Sequence, residues 1–510
     1  MAHYNAASQL LDSNIAAGRS ANTAFIDTRR SISYADLAAD TRRLARLLVS
    51  LGIRREERAV MVMQDTIAFP TVFLGAIRAG IVPAPLNTML AAEHYAYILE
   101  DSRARVLFVS AALLPVIEPV LAQTPGIEHV IVTDGPAGPG RIDFAKALAA
   151  QPAEFETAQT HPDETAFWLY SSGSTGMPKG TRHIHTSLME TARLYGAGVL
   201  GMKEGDRCLS AAKLFFAYGL GNSLTFPMSV GATSILHADR PTPHSLFDLM
   251  KQHQPTLFFG VPTLYAAMLA DTELTPARGS AALRLCASAG EALPAHIALG
   301  WRERFGLDII DGVGSTELLH IFLSNRPGDV GYGTAGRAVP GYEVRLVDEK
   351  GAPVPDGEIG EMLVSGPTAA DGYWNQRAKS RATFEGGWTR TGDKYTRDAD
   401  GRYICCGRSD DMFKVSGIWV SPFEVEAALA SHPLVLEAGV VPAEDSEGLL
   451  KPKAYIVLKA GERPADLDAQ LKAHVKERIG MWKYPRWIVV LDALPKTAVG
   501  KIQRFKLRDM

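Results

Sequence analysis

Cysteine is scarce in this chain. Only Cys208, Cys286, Cys405 and Cys406 occur among 510 residues, and no two of them form a CxxC. The adjacent pair is poorly spaced for an ordinary disulfide or a zinc knot, so a disulfide scaffold and a cysteine-built metal site are both set aside. Neither charge sign dominates: 53 Lys+Arg stand against 56 Asp+Glu, a formal net charge of -3. No global basic field is therefore available to hold nucleic acid. There is no uninterrupted apolar run of roughly 18 residues, the length of a membrane span. The start, MAHYNAASQLLDSN, lacks the basic opening and apolar core of a secretory signal. Also missing are a G-x-S-x-G nucleophile elbow, an internal repeat and any low-complexity segment. The expectation is a reduced cytoplasmic enzyme of two to four structural units.

What is present is 46% hydrophobic residue, ample for a buried core. SYADLAADTRRLARLLVSLG predicts a helix with Leu37, Leu44, Leu47 and Leu48 on one side, stopped by Gly52. AVMVM (59–63), ARVLFVS and EHVIVTD read as strands, with a helix in IAFPTVFLGAIRAG. This alternation predicts an α/β fold built on doubly wound, mostly parallel sheets. From about 330 to 409, Gly- and Pro-rich turns around short strands predict a small β subdomain. A second change near GRSDDMFKVSG (407–417) opens a unit of about 100 residues, a usual domain size. There Ser421-Pro-Phe-Glu424 has the form of a capping box, and Leu467, Leu471, Val475 and Ile479 recur at helical spacing. The expected division is a large domain over 1–409 and a smaller α+β domain over 410–510.

The richest stretch is YSSGSTGMPKG, residues 170–180. Glycines at 173, 176 and 180 let backbone N–H groups approach a ligand closely, and such concave runs of amides bind anions. Ser171, Ser172, Ser174 and Thr175 add hydroxyl donors, and Lys179 adds a point charge. A polyphosphate is the natural target. The pattern G-x-x-x-x-G-K-[ST] is not met, because Pro178 precedes Lys179 and Gly180 follows it. A flexible linker fits poorly, since the strand-like AFWLY directly before it anchors it in a sheet.

The stretch closely resembles the phosphate loop of the adenylate-forming superfamily of acyl-CoA synthetases, adenylation domains and luciferases. Further matches follow in order: DGVGSTE (311–317), TGD (391–393), GRSDDMFKVSG (407–417) and PKTAVGKIQR (495–504). The resemblance implies attack of a carboxylate on the α-phosphate of MgATP, then displacement of AMP by the thiol of CoA. It assigns the β/γ-phosphates to Ser171, Ser172, Gly173, Ser174, Thr175, Gly176 and Lys179. The rest of the nucleotide falls to Ala289, Gly290, Glu291, Asp311, Gly312, Val313, Gly314, Ser315 and Thr316. Glu317 is assigned Mg²⁺, a hard cation suited to oxygen ligands. Asp393 and Arg408 are assigned the ribose. Lys501 is implied as the catalytic lysine of adenylation, Asp410 as a hinge of a mobile C-terminal domain, and Lys414 and Gly417 as the lining of the CoA thiol route. Val313 stands where the superfamily commonly has an aromatic residue, which substitutes aliphatic contact for stacking on adenine.

The segments KLFFAYGLGN (213–222) and STELLHIFLSNRPGD (315–329) look most like benzoate-CoA ligase and its hydroxybenzoate relatives. Phe216, Ala217, Tyr218, Gly314, His320 and Ile321 would form a short, flat slot for one aromatic ring. Phe215 reads as core. Benzoate, hydroxybenzoates and aminobenzoates are not separated, and loading of a separate carrier protein, a light-emitting reaction and a catalytically silent nucleotide-binding protein remain as alternatives. A homodimer is left open. Three decoys are set aside. Gly331–Gly336 satisfies G-x-G-x-x-G but reads as turns. His183-Ile-His185 has no partnered ligand cluster. Asp410-Asp411 reads as part of the hinge rather than as an acid/base pair.

Overall fold

The computed structural model describes residues 3–173, 176–409, 411–415, 418–446, 448–459, 464–481, 483–496 and 502–510. Asp410, Gly417 and Lys501 lie outside them, as do Ser174 and Thr175. For Ser172, Gly173, Gly176 and Lys414 the backbone alone is described.

The predicted alternation produces two large sheets. One has the strand order Val82–Pro85, Arg58–Val62, Val106–Ser110, His129–Thr133, Ile142–Asp143, all parallel. The other has nine strands. Its six central strands are parallel, running from Ile309–Gly314 through Leu285–Ser288, Leu257–Gly260, Arg207–Ser210 and Thr233–Ile235 to Thr23–Ile26. The helix Tyr34–Ser50 buries Leu37, Leu44, Leu47 and Leu48, as its spacing requires, and Ser33 caps it by accepting from Asp36 N. Gly52 takes φ +76° just beyond the end, a conformation that residues with a Cβ rarely adopt.

A three-stranded antiparallel sheet, Gly372–Tyr373, Gly176–Ile184 and Thr165–Gly173, lies beside the edge strand Val82–Pro85 of the five-stranded sheet. Strand alternation explains how it is held. Phe167 and Leu169 enter the core shared with the helices Tyr34–Ser50 and Ala68–Arg78, whereas Trp168 and Tyr170 pack on the opposite side with the five-stranded sheet. Emptying such an aromatic position to alanine costs about 3–5 kcal/mol.

The antiparallel β subdomain comprises Glu343–Val347, Gly360–Ser365, Trp388–Arg397, Phe384–Glu385 and Tyr403–Arg408. It therefore begins later than the sequence suggests, because Arg337–Ala338 extends the nine-stranded sheet. The small C-terminal domain packs helices Pro422–Ala430 and Leu467–Ile479 against the sheet Val435–Glu444, Leu450–Leu458, Trp487–Val490. Leu467, Leu471 and Val475 are buried there. Half of the expected capping box forms: Ser421 Oγ accepts from Glu424 N at 3.2 Å. The Glu424 carboxylate instead accepts from Lys483 Nζ at 2.6 and 2.8 Å, because a cation outcompetes a neutral amide for it. Among the described residues, no helix is long and apolar enough to cross a membrane.

Candidate active site

The 170–180 stretch is a β-hairpin rather than a free loop, with Tyr170 opposite Gly180 and Ser171 opposite Lys179. Its register slips between Ser171 and Gly173. A Cβ on Gly180 would crowd the Tyr170 ring at 3.2 Å. Ser171 Oγ is buried with no hydrogen-bond partner among the described residues. Tyr170 in turn donates to Asp101 Oδ2 at 2.8 Å, fixing the base of the hairpin.

Lys179 and Glu317, 138 residues apart in sequence, meet here at 3.5 Å. Between them stands Tyr373, whose Oη donates to Glu317 Oε1 at 2.8 Å and accepts from Lys179 Nζ at 3.1 Å. Sequence reasoning missed Tyr373. Its only signal was a glycine followed by two aromatic residues in a turn-rich segment.

The strand Ile309–Gly314 runs out of the nine-stranded sheet and delivers the 311–317 motif to the same region. Gly314 admits no side chain: a Cβ would lie 2.4 Å from the His320 carbonyl oxygen. The Asp311 carboxyl is buried beside Ser288 and accepts from Leu293 N at 3.4 Å, and burial raises its pKa well above the usual carboxylate range. Its side chain thus ties this motif to the 289–293 segment that carries Ala289, Gly290 and Glu291. Glu291 is also one of the charges that keep Arg504 protonated. Ser315 Oγ accepts from Leu318 N at 3.2 Å, closing the turn that presents Thr316 and Glu317. Val313 packs as a partly buried member of the second core cluster. Gly312 lies against the Leu323 carbonyl of the neighbouring strand. In the β subdomain, Asp393 and Arg408 face each other across two antiparallel strands, with Arg408 Nη1 donating to Asp393 Oδ1 at 2.9 Å.

Two π-helical turns, Ala192–Ala197 and Gly221–Thr225, pack around His320, one of the residues expected to line the ring slot. Such turns recur at functional sites because the extra residue redirects side chains. His320 is 3% exposed, with its ring 4.5 Å from Phe226 and 5.5 Å from both Tyr195 and Tyr218. A Cβ on Gly221 would reach within 2.3 Å of the imidazole. Burial drives the His320 pKa down to about 3, so the ring is neutral at physiological pH. Nε2 lies 3.2 Å from the Tyr218 carbonyl oxygen. That acceptor demands the N–H at Nε2, which leaves Nδ1 an acceptor without a partner among the described residues. The Tyr218 hydroxyl is buried beside Asn222. Phe216 and Ala217 are partly buried against the first core cluster, Ile321 is buried in the second, and Phe215 belongs to the core as expected.

Two further groups escaped the sequence reading. Asp65, buried after the strand Arg58–Val62, accepts the Leu214 N–H with both oxygens at 3.2 and 3.3 Å. Lys213 Nζ donates to the carbonyls of Ala238 and Asp239 at 3.3 and 2.6 Å. Together they anchor the start of the 213–222 segment.

The decoys resolve as ordinary structure. His183 stacks on Phe167 at 5.0 Å, and His185 Nδ1 accepts from Ala6 N. Residues 331–336 are turns, with Gly331 N donating to Asn325 Oδ1. Asp411 pairs with Arg504 and Arg508. Among the described residues there is no cluster of three or more His, Cys, Asp or Glu able to hold a metal by itself.

Residues 13–374 match the sequence profile of the AMP-binding enzyme family, and residues 424–501 match its C-terminal domain. The chain belongs to the AMP-binding enzyme family. It is 55% identical to the 4-hydroxybenzoate--CoA/benzoate--CoA ligase of Rhodopseudomonas palustris, over 99% of this chain and 94% of that one. It is 54% identical to the benzoate--CoA ligase of Thauera aromatica, over 99% and 96% of the two chains. The solved structure of a benzoate CoA ligase from Burkholderia xenovorans LB400 superposes with a TM-score of 0.92 at 50% identity, covering 99% of this chain and 100% of the other. The 170–180 hairpin and the 311–317 motif meet at Lys179 and Glu317, and Arg408 lies near enough for its charge to act on Tyr373 between them.

Proposed function

We propose that the chain is an AMP-forming aryl acid–CoA ligase that converts ATP, a benzoate-type carboxylate and CoA to aroyl-CoA, AMP and diphosphate. Full-length similarity at 55% identity to a 4-hydroxybenzoate--CoA/benzoate--CoA ligase carries the reading. The aromatic surround of the neutral His320 supports it.

In the first half-reaction a carboxylate oxygen attacks the α-phosphorus of ATP, the bond to the β-phosphate oxygen breaks, and diphosphate leaves. In the second, the CoA thiolate attacks the acyl carbon, the bond from that carbon to the AMP oxygen breaks, and AMP leaves. Activation is needed because a free carboxylate is a poor electrophile. Displacement at phosphorus relies on positioning and charge neutralisation. The hairpin amides and Lys179 would receive the β/γ-phosphates, and Asp393 with Arg408 the ribose hydroxyls. Glu317 would hold Mg²⁺. One carboxylate suffices, since magnesium sites of this kind use one or two carboxylates together with substrate phosphates; bound there, the metal supplies charge neutralisation. Lys501 would bridge carboxylate and α-phosphate, and Lys414 and Gly417 would line the thiol route.

A ring hydroxyl is a second substrate feature the slot suits. His320 Nδ1 is an acceptor in an otherwise apolar surround, and the Tyr218 hydroxyl and Asn222 lie close by. The test is a panel of benzoate, hydroxy-, amino- and halobenzoates, cyclohexanecarboxylate and short fatty acids, scored for CoA-dependent AMP release. Turnover confined to single-ring aromatic acids supports the reading. AMP release with fatty acids alone, or with no acid in the panel, overturns it.

A further inference from the structure

We infer that Tyr373 is a positioning residue that shares Lys179 and Glu317, limits how tightly they pair and aims them separately, the cation at phosphate and the carboxylate at the metal. The inference rests on the roles proposed above for those two residues.

One hydroxyl has one proton and two lone pairs. The proton of Tyr373 goes to Glu317 Oε1, the shortest contact at 2.8 Å and the charged acceptor. A lone pair takes Lys179 Nζ at 3.1 Å. With one carboxylate oxygen occupied in this way, Oε2 is the oxygen left to meet a cation, as outer-sphere donors set the orientation of metal-binding carboxylates. The ammonium also lies 4.2 Å from the centroid of the Tyr373 ring, so it has a favourable resting place that is not a carboxylate.

The alternative arrangement would harm the reaction. Lys179 and Glu317 are 3.5 Å apart. That contact is already a long ion pair; without the shared hydroxyl it could shorten to a tight one, which substrate would have to break before either charge could act on phosphate or metal. A neutral hydroxyl between them exchanges partners at little cost, because it donates to one and accepts from the other.

The mount for this side chain is rigid and tied to both motifs. Tyr373 pairs with Thr181 and Gly372 with Arg182, two and three residues beyond Lys179. Trp374 N donates to the Gly180 carbonyl at 2.8 Å, and its indole packs 4.8 Å from that of Trp168. Ala370 N donates to the Glu317 carbonyl oxygen at 2.8 Å. Residues 370–374 therefore strap the phosphate hairpin to the metal-proximal turn. Tyr373, 4% exposed, is the side chain of that strap that reaches both charges.

The experiment uses Tyr373→Phe, which keeps the ring and removes only the hydroxyl, checked for an unchanged melting temperature. Calorimetry measures ATP binding without acid, in Mg²⁺ and in chelator, and the two half-reactions are assayed separately. The gain in ATP affinity conferred by Mg²⁺ should shrink about 10-fold, with metal-free binding changed less than about 2-fold. Adenylate formation should fall in parallel, while thioester formation from supplied aroyl adenylate keeps its wild-type rate. In a Glu317→Gln background, Tyr373→Phe should add nothing, because the two act as one unit. A wild-type magnesium effect on ATP binding in the folded variant, equal loss in both half-reactions, or additivity with Glu317→Gln would each overturn the inference. A wild-type protein that binds ATP but adenylates no aryl acid would instead refute the proposed function, and the binding measurement would still decide the role of Tyr373.

Discussion

His320 Nε2 stands 3.2 Å from the Tyr218 carbonyl oxygen, so the turn after the 311–317 motif is hydrogen-bonded to the start of the helix Ala217–Leu220. This contact fixes the tautomer of the histidine and its position against that helix. His320→Phe keeps an aromatic filler but deletes the Nδ1 acceptor. The KM for a hydroxybenzoate that uses this acceptor should rise about tenfold relative to that for benzoate, the ~1.4 kcal/mol of one hydrogen bond. Steady-state kinetics with the two acids checks it, and an equal change for both would remove His320 from substituent recognition. Because the ring is neutral down to about pH 3, no step in the pH–rate profile between pH 5 and 8 should disappear in this variant.

Asp65 offers a test in pH. Burial pushes its pKa up to about 6, against the partly offsetting charge of Lys213. The folded state then holds the proton more tightly than the unfolded one, so this group's contribution is fully present below about pH 4 and is lost as pH rises through 6. Two pKa units correspond to roughly 3 kcal/mol. Asp65→Asn keeps an acceptor for the Leu214 N–H but cannot ionise. The difference in melting temperature between variant and wild type should therefore move in the variant's favour from pH 4 to pH 7. A pH-independent difference would show that Asp65 keeps an ordinary pKa in the fold.

Lys501→Ala should abolish adenylate formation while sparing thioester formation from supplied aroyl adenylate. Isotope exchange between ATP and diphosphate reads the first step and thioester absorbance the second. Equal loss in both would defeat the proposed division of labour.

Arg504, three residues on, is bound on several sides. Its guanidinium donates to both oxygens of Glu426 at 3.1 and 2.7 Å, lies 3.6 Å from Asp411 and covers the Phe423 ring at 4.2 Å. Both members of the Arg504–Glu426 pair are about nine-tenths buried. Arg504→Ala would strand Glu426 as an uncompensated buried charge, a loss of about 3–5 kcal/mol. Limited proteolysis should find the C-terminal domain cleaved first while residues 1–409 persist. Wild-type resistance would mean the network contributes little.

Much of this architecture was legible because it is local. The Leu37, Leu44, Leu47, Leu48 stripe specifies one buried helix face whatever lies opposite, and alternation in AFWLY specifies a strand with two covered sides. The glycine and hydroxyl pattern of 170–180 pointed to an anion-binding segment, an expectation that leaves the hairpin unstated. The second strand of that hairpin is paired on its other edge to Gly372–Tyr373, nearly two hundred residues away. Ser421 was readable as a cap from its neighbours, whereas the diversion of Glu424 to Lys483 depended on a cation 59 residues distant.

The sequence by itself determined the periodicities, the ordered motifs and hence the family, since these reside in short-range spacing that no tertiary contact alters. Only the folded chain decided that Tyr373 stands between Lys179 and Glu317, that Asp65 holds Leu214, and that His320 is neutral. Those facts follow from burial and from distances across space, and a buried group's partners and protonation are set by what surrounds it rather than by what precedes it in the chain.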